Sequence, residues 1–248
     1  MRWLTNAQSL LRTNQYCIND TISIYIPTIG EIYDYGESEY YQIVQLLTSV
    51  PYDLMVQFDD MQIDYETISE YQLFLMMLES FMMQKKDLSI VFGSFDFSKL
   101  RFAENTKTGE KLLIDKDENP VIDKLIQYEI ATAIRKIHFW TKTDKKAGNE
   151  EAKKYLIERN RLKQQRAARK KHTSFLDESI IKMVNTEEFK YNYETCMDLS
   201  IYKFNASLQQ IPKKKNWEQT ITGAYFGTVD LSKLNIDKLH WMSPCMTS

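Results

Sequence analysis

Glycine and proline are scarce, with seven and five in 248 residues. That shortage argues against a turn-dense all-β sandwich and against the glycine-rich loops that cradle phosphates. Cysteine is scarcer still. Cys17, Cys196 and Cys245 are odd in number and far apart, which reads as reduced thiols in a cytosolic protein rather than a disulfide frame. His138, His172 and His240 are scattered, with no partner at metal-ligand spacing. The longest apolar stretch, Leu73–Leu78, falls well short of the roughly 20 residues that a membrane span needs. At the N-terminus, Met1-Arg2-Trp3 leads into Asn, Gln and Thr, where a secretory leader would be apolar. No G-x-S-x-G, G-x-x-x-x-G-K or nucleophile–base arrangement occurs, so the residues give no positive reason to expect an enzyme, a cofactor or a bound metal.

What the chain does have is apolar content of 43%, with 12% of all residues aromatic, which is globular and not disordered. Its net charge of −2 hides an asymmetry: residues 1–100 carry fourteen Asp and Glu against five Lys and Arg. The pattern predicts a mainly α fold with a little β (α+β). Its expected parts are an acidic region over 1–140, a linker and basic helix over 141–172, and a helical region over 173–248.

Thr21–Ile26 alternates in the manner of an edge strand stopped by Pro27, and Gly30 and Gly36 bracket an acidic, tyrosine-rich turn. Tyr41, Val44, Leu47 and Thr48 predict a helix ended by Pro51, which opens another over Tyr52–Phe58. Ser69 and Gln72 have the spacing of a capping box before a helix that is apolar nearly all round, through about Met83. Such a helix belongs in a core; Met76, Met77, Met82 and Met83 offer a methionine-lined groove as the alternative. A hairpin is expected over Arg101–Asp115, turning near Asn105, Thr108 and Gly109. Asn119-Pro120 then reads as the start of a helix that runs to about Trp140.

From Glu150 to about Lys171 the spacing predicts a further helix, with Ala152, Tyr155 and Leu156 on one face. Farther along that face Arg159, Lys163, Arg166 and Lys170 fall on one narrow stripe. No acid appears between Glu158 and Asp177. The stripe could follow a phosphate backbone. Ahead of that reading stand two others: a solvated connector, or pairing with the acidic first hundred residues within one chain or between copies. The acids Asp59, Asp60, Asp64 and Glu66 lack calcium-loop spacing and read as a solvated loop, with weak cation binding as the lesser alternative. Beyond them, Asn185 and Glu188 are the expected cap of a long helix ended at Ile211-Pro212. A short helix over Trp217–Phe226 and a last segment over Ile236–Met242 follow.

Two nine-residue stretches echo each other. Phe92-Gly93-Ser94-Phe95-Asp96-Phe97-Ser98-Lys99-Leu100 matches Phe226-Gly227-Thr228-Val229-Asp230-Leu231-Ser232-Lys233-Leu234 at six positions. In each, the glycine (Gly93, Gly227) is free to take a positive φ, and the aspartate (Asp96, Asp230) can cap a short helical turn. Tyr65-Glu66-Thr67 and Tyr193-Glu194-Thr195 repeat upstream. Duplication of a helix–turn–cap unit and chance similarity both account for this.

Ile24-Tyr25-Ile26-Pro27-Thr28-Ile29-Gly30-Glu31-Ile32, Tyr40-Tyr41, Pro51-Tyr52-Asp53-Leu54-Met55 and Tyr71-Gln72-Leu73-Phe74 resemble proteins from tailed phages of Gram-positive bacteria. Gly223-Ala224-Tyr225-Phe226-Gly227 through His240-Trp241-Met242 resembles the same group. Such proteins are similar to tail assembly chaperones. The resemblance implies a cytoplasmic helper that binds the tape measure protein and recruits the major tail protein. It implies no catalytic residues, and it does not extend to the basic helix. Self-association through acidic and basic surfaces fits an assembly factor, with nucleic acid ranked behind protein partners.

Overall fold

The computed structural model describes residues 9–104, 109, 111–117, 119–143, 145–169 and 173–243. The fold is mainly α with two small antiparallel sheets. Strand β1 (Gln15–Cys17) pairs with β2 (Ser23–Tyr25), where Ile24 and the flanking Ile22 and Ile26 are buried. Helices α1 (Ile29–Tyr35), α2 (Glu37–Thr48), α3 (Met55–Asp60), α4 (Glu70–Met83) and α5 (Ser89–Phe92) follow. The second sheet is a meander of β3 (Arg101–Glu104), β4 (Lys111–Ile114) and β5 (Pro120–Ile122). The rest is helical: α6 (Lys124–His138), α7 (Glu150–Ala168), α8 (Phe175–Val184), α9 (Ile201–Tyr225) and α10 (Ile236–Leu239).

Local sequence explains most of these elements. Ser69 and Gln72 form the expected reciprocal cap of α4, and Tyr71, Leu73, Phe74, Leu75, Leu78 and Phe81 are buried, so α4 is a core helix. Met83 is exposed at its end. The hairpin forms with Arg101 opposite Ile114 and Glu104 opposite Lys111; Asn105 and Thr108 lie outside the described residues, while Gly109 takes a φ of +66°.

Four expectations fail for physical reasons. The region between Gly30 and Gly36 is α1, because Thr28 and Glu31 cap each other reciprocally. Asn119-Pro120 does not start α6: Pro120 enters β5, and Asp123 caps the helix by accepting from the Ile126 N–H at 2.8 Å. Asn185 and Glu188 cap nothing ahead of them; Asn185 ends α8, a helix not anticipated from the spacing, and α9 begins only at Ile201. Finally, α9 runs through Pro212. Proline's fixed φ is itself helical, and its cost is one lost donor and crowding one turn back. The residues before it are held by the core, and those after it by α10, which folds back on α9 with Trp217 and His240 ring centres 4.8 Å apart.

One continuous apolar core reaches from Leu10 to Phe204. It draws on α2, α4 and α6 and equally on Leu176, Ile180 and Met183 of α8 and Ile201 and Phe204 of α9. Burying each such side chain contributes about 1.5–3 kcal/mol. Backbone bonds join the ends of this core. The Ile29 N–H donates to the Leu199 carbonyl (2.9 Å) and the Ile201 N–H to the Pro27 carbonyl (2.8 Å). Gly30 lies against the Met197 carbonyl, an approach that any larger residue would tighten.

Candidate functional site: a charged helix and an exposed arm

Helix α7 begins where Asn149 accepts from the Ala152 N–H at 2.8 Å. Glu150 and Glu151 stand at its start and Arg166 near its end, the arrangement that complements the helix dipole. It docks on α3 over a second apolar cluster of Met55, Val56, Phe58, Tyr65, Leu73 and Ile157. The docking edge is not the one the spacing suggested. Leu156 and Ile157 pack inward, whereas Tyr155 is exposed.

Two cations on that edge meet the acidic cluster. Lys153 Nζ lies 2.6 Å from Asp64, 3.1 Å from Glu66 and 3.8 Å from Glu150, and 5.2 Å from the centre of the Tyr65 ring. Its side chain is only 8% exposed. Burial opposes its charge, but the hydrogen bonds to Asp64 and Glu66 outweigh this and hold the ammonium well above the ordinary lysine range. The bond from Lys153, and then one from the Glu66 N–H, keep the Asp64 carboxyl below its usual range. About two helix turns farther on, Arg161 reaches Asp59 (2.8 Å) and Asp60 (2.5 Å). The four acids are therefore the seat of a helix, which corrects the solvated-loop reading. Charge complementarity within the chain, one of the readings open to the sequence, is supplied here by Lys153 and Arg161, which lie off the cationic stripe.

The stripe stands elsewhere. Arg159, Lys163 and Arg166 are exposed, about 120° around the helix from the docked edge at roughly 100° per residue. None of the three has an ion-pair partner among the described residues. Lys170 lies outside the described residues.

The two signature copies share a local geometry. Gly93 (φ +59°) and Gly227 (φ +73°) both take the left-handed region. Asp96 accepts from the Ser98 N–H at 3.0 Å and Asp230 from the Ser232 N–H at 3.1 Å, each starting one helical turn. Lys99 and Lys233 each return to their aspartate at 3.3 Å. The surroundings differ. Phe92 is 1% exposed and packs edge-on against Phe97 at 4.9 Å, whereas its counterpart Phe226 is 73% exposed. From 206 to 243 no described residue is buried. The outer half of α9, the second signature and α10 form an arm outside the core, showing Ile221, Tyr225, Phe226 and Met242 to solvent.

A family model, the YomV second domain, matches residues 168–245. That domain is of phage type, and the match supports a phage protein. The matched stretch takes in α8, α9, α10 and the second signature; the first signature and Arg159, Lys163 and Arg166 lie ahead of it. Neither the curated proteins nor the solved structures give a match to this chain. Among the described residues no helix is long and apolar enough to cross a membrane, and no three His, Cys, Asp or Glu converge to hold a metal.

Proposed function

We propose that this phage protein is a tail assembly chaperone, a non-enzymatic helper in the host cytoplasm that binds the tape measure protein or the major tail protein while tails are built. The observation that carries this reading is the overlap of the phage-type match with the exposed arm. The region matched, 168–245, includes the part of the molecule whose large apolar side chains face solvent, with Tyr225 87% exposed beside Phe226. Side chains of that size, exposed together, are what a partner's apolar surface covers. The charges around them (Lys233, Asp237, Lys238) would keep both the free arm and its complex soluble. Co-purification from infected cells tests this. Recovery with the tape measure protein, and absence from finished particles, is the expected outcome; presence in mature particles would make it a virion component instead.

A second reading rests on the exposed cations of α7. Arg159, Lys163 and Arg166 lie where a phosphate backbone could run, and Lys170 continues their spacing in the sequence. If they bind DNA or RNA, charge reversal at these four positions abolishes binding, and each lost phosphate contact lowers the salt slope by about 1. No detectable binding of the unmutated protein at low salt ends this reading.

A further inference from the structure

The back of α7 is open from Glu151 to Arg166. Six side chains on it are exposed: Glu151, Tyr155, Glu158, Arg159, Leu162 and Arg166. At roughly 100° per residue they fall within an arc of about 100°, on the side of the helix opposite the edge that holds Leu156 and Ile157 against α3. Two of the six are large and apolar, with Tyr155 65% and Leu162 47% exposed, and they stand along the middle of that arc among the charges. The rest of the chain therefore leaves room for another helix along this face.

The charges on this face are ordered. Glu151 and Glu158 come first, Arg159 and Arg166 follow, and none of the four has an ion-pair partner among the described residues. Consider a second copy of the helix laid antiparallel, its two-fold axis at the midpoint between residues 158 and 159. Glu151 then stands opposite Arg166 of the second copy, Glu158 opposite Arg159 and Tyr155 opposite Leu162, all in one register. Symmetry repeats each pairing, which gives four ion pairs around the apolar contacts. Packed helices lie about 8–10 Å apart, a gap that Glu and Arg side chains span. Lys154 and Lys163 share a level in this register, but they stand about 180° apart around the helix and stay clear of each other. A phosphate backbone fits the face less well, because Glu151 and Glu158 repel it and Leu162 gains nothing from it.

We propose that this face binds the same face of a second copy of this protein, α7 against α7 in antiparallel sense, as a two-fold symmetric dimer. A two-fold contact needs a surface complementary to itself. The order acid, acid, base, base along one helix meets that need in the antiparallel sense alone, since parallel copies would set like charges side by side. Exposed ion pairs are individually weak and are screened by salt, so the dimer is a weak one that concentration and ionic strength control. The inference is independent of the arm and of what the arm binds.

Sedimentation equilibrium of the full chain tests this. At about 0.3 mM protein a monomer–dimer equilibrium is expected, roughly tenfold weaker when ionic strength rises from about 0.05 to about 0.5 M. Glu151→Arg/Glu158→Arg and Arg159→Glu/Arg166→Glu each turn all four attractive pairs into repulsive ones. Each variant alone should self-associate at least about a hundredfold more weakly. Because all four side chains are exposed, both variants should keep the helix content of the unmutated protein. Mixed one to one, they restore every unlike pair and should recover its dimer, which damage to α7 could not do. The proposal is overturned if the full chain stays monomeric at low salt, if either variant dimerises as before, or if the mixture stays monomeric. It is overturned as well if two chains come together only when an oligonucleotide is added, for then phosphate occupies the stripe.

Discussion

At position 138, burial decides the chemistry. His138 is enclosed on every side, and loss of solvent lowers its pKa from 6.5 to about 3. The unfolded chain takes up a proton on this imidazole below about pH 6.5 that the folded chain refuses until about pH 3. Stability contributed by the neutral ring is therefore present at pH 7 and is lost as the pH falls, by up to about 1.4 kcal/mol per pH unit. Urea denaturation at pH 7, 5.5 and 4.5 should show this slope, and His138→Gln should flatten it. An unchanged slope in the variant would contradict the burial argument. Asp64, Asp96 and Asp230, whose hydrogen bonds hold them below the usual carboxylate range, add their own loss only at lower pH. Residue-scale features were legible in the sequence where they depended on neighbours along the chain. The cap of α4 at Ser69 and Gln72 is one; the turns capped by Asp96 and Asp230 follow the same local rule. Thr28 and Glu31 obey that grammar too, but Gly30 and Gly36 suggested a turn and hid it.

Among the elements, α7 shows what spacing does and does not reveal. The helix itself and its exposed cationic side could be read from the 3.6-residue period. Which edge docks could not, because that depends on acids at 59–66 brought beside it by the fold. Lys153→Ala should loosen the docked half of α7, seen as faster amide exchange from about Lys153 to Asn160, while Lys163→Ala should leave exchange there unchanged. Equal effects from the two would mean that the acidic seat does not hold the helix. Pro120 and Pro212 misled in opposite directions. Pro120 has the sequence context of a helix start and lies in a strand; Pro212 has that of a helix stop and lies inside a helix. Proline restricts only its own φ and removes one donor, so packing on either side settles what the chain does.

For the whole molecule, the mainly α class with a little β followed from composition and period, whereas the joining of α8 and the start of α9 into the core needed the Pro27–Ile29 backbone bonds. A boundary in energetic terms falls after Asn205, the last buried residue among those described. A chain ending at residue 210 should stay folded, with a urea midpoint close to that of the full chain. One ending at 172 loses Leu176, Ile180, Ile201 and Phe204 from the core and should be insoluble or molten. The reverse result would place the fold's stability in the arm. If the arm is instead the working surface, its loss should matter for partners and not for folding. The most direct measurement is affinity capture of the full chain, of Tyr225→Ser/Phe226→Ser and of the chain ending at 210 from phage-infected cells, with the bound proteins identified by mass spectrometry. The full chain should bring down the tape measure protein or the major tail protein, and both altered forms, still folded, should lose it. Capture of neither tail protein by the full chain, or equal capture by all three forms, would contradict the account.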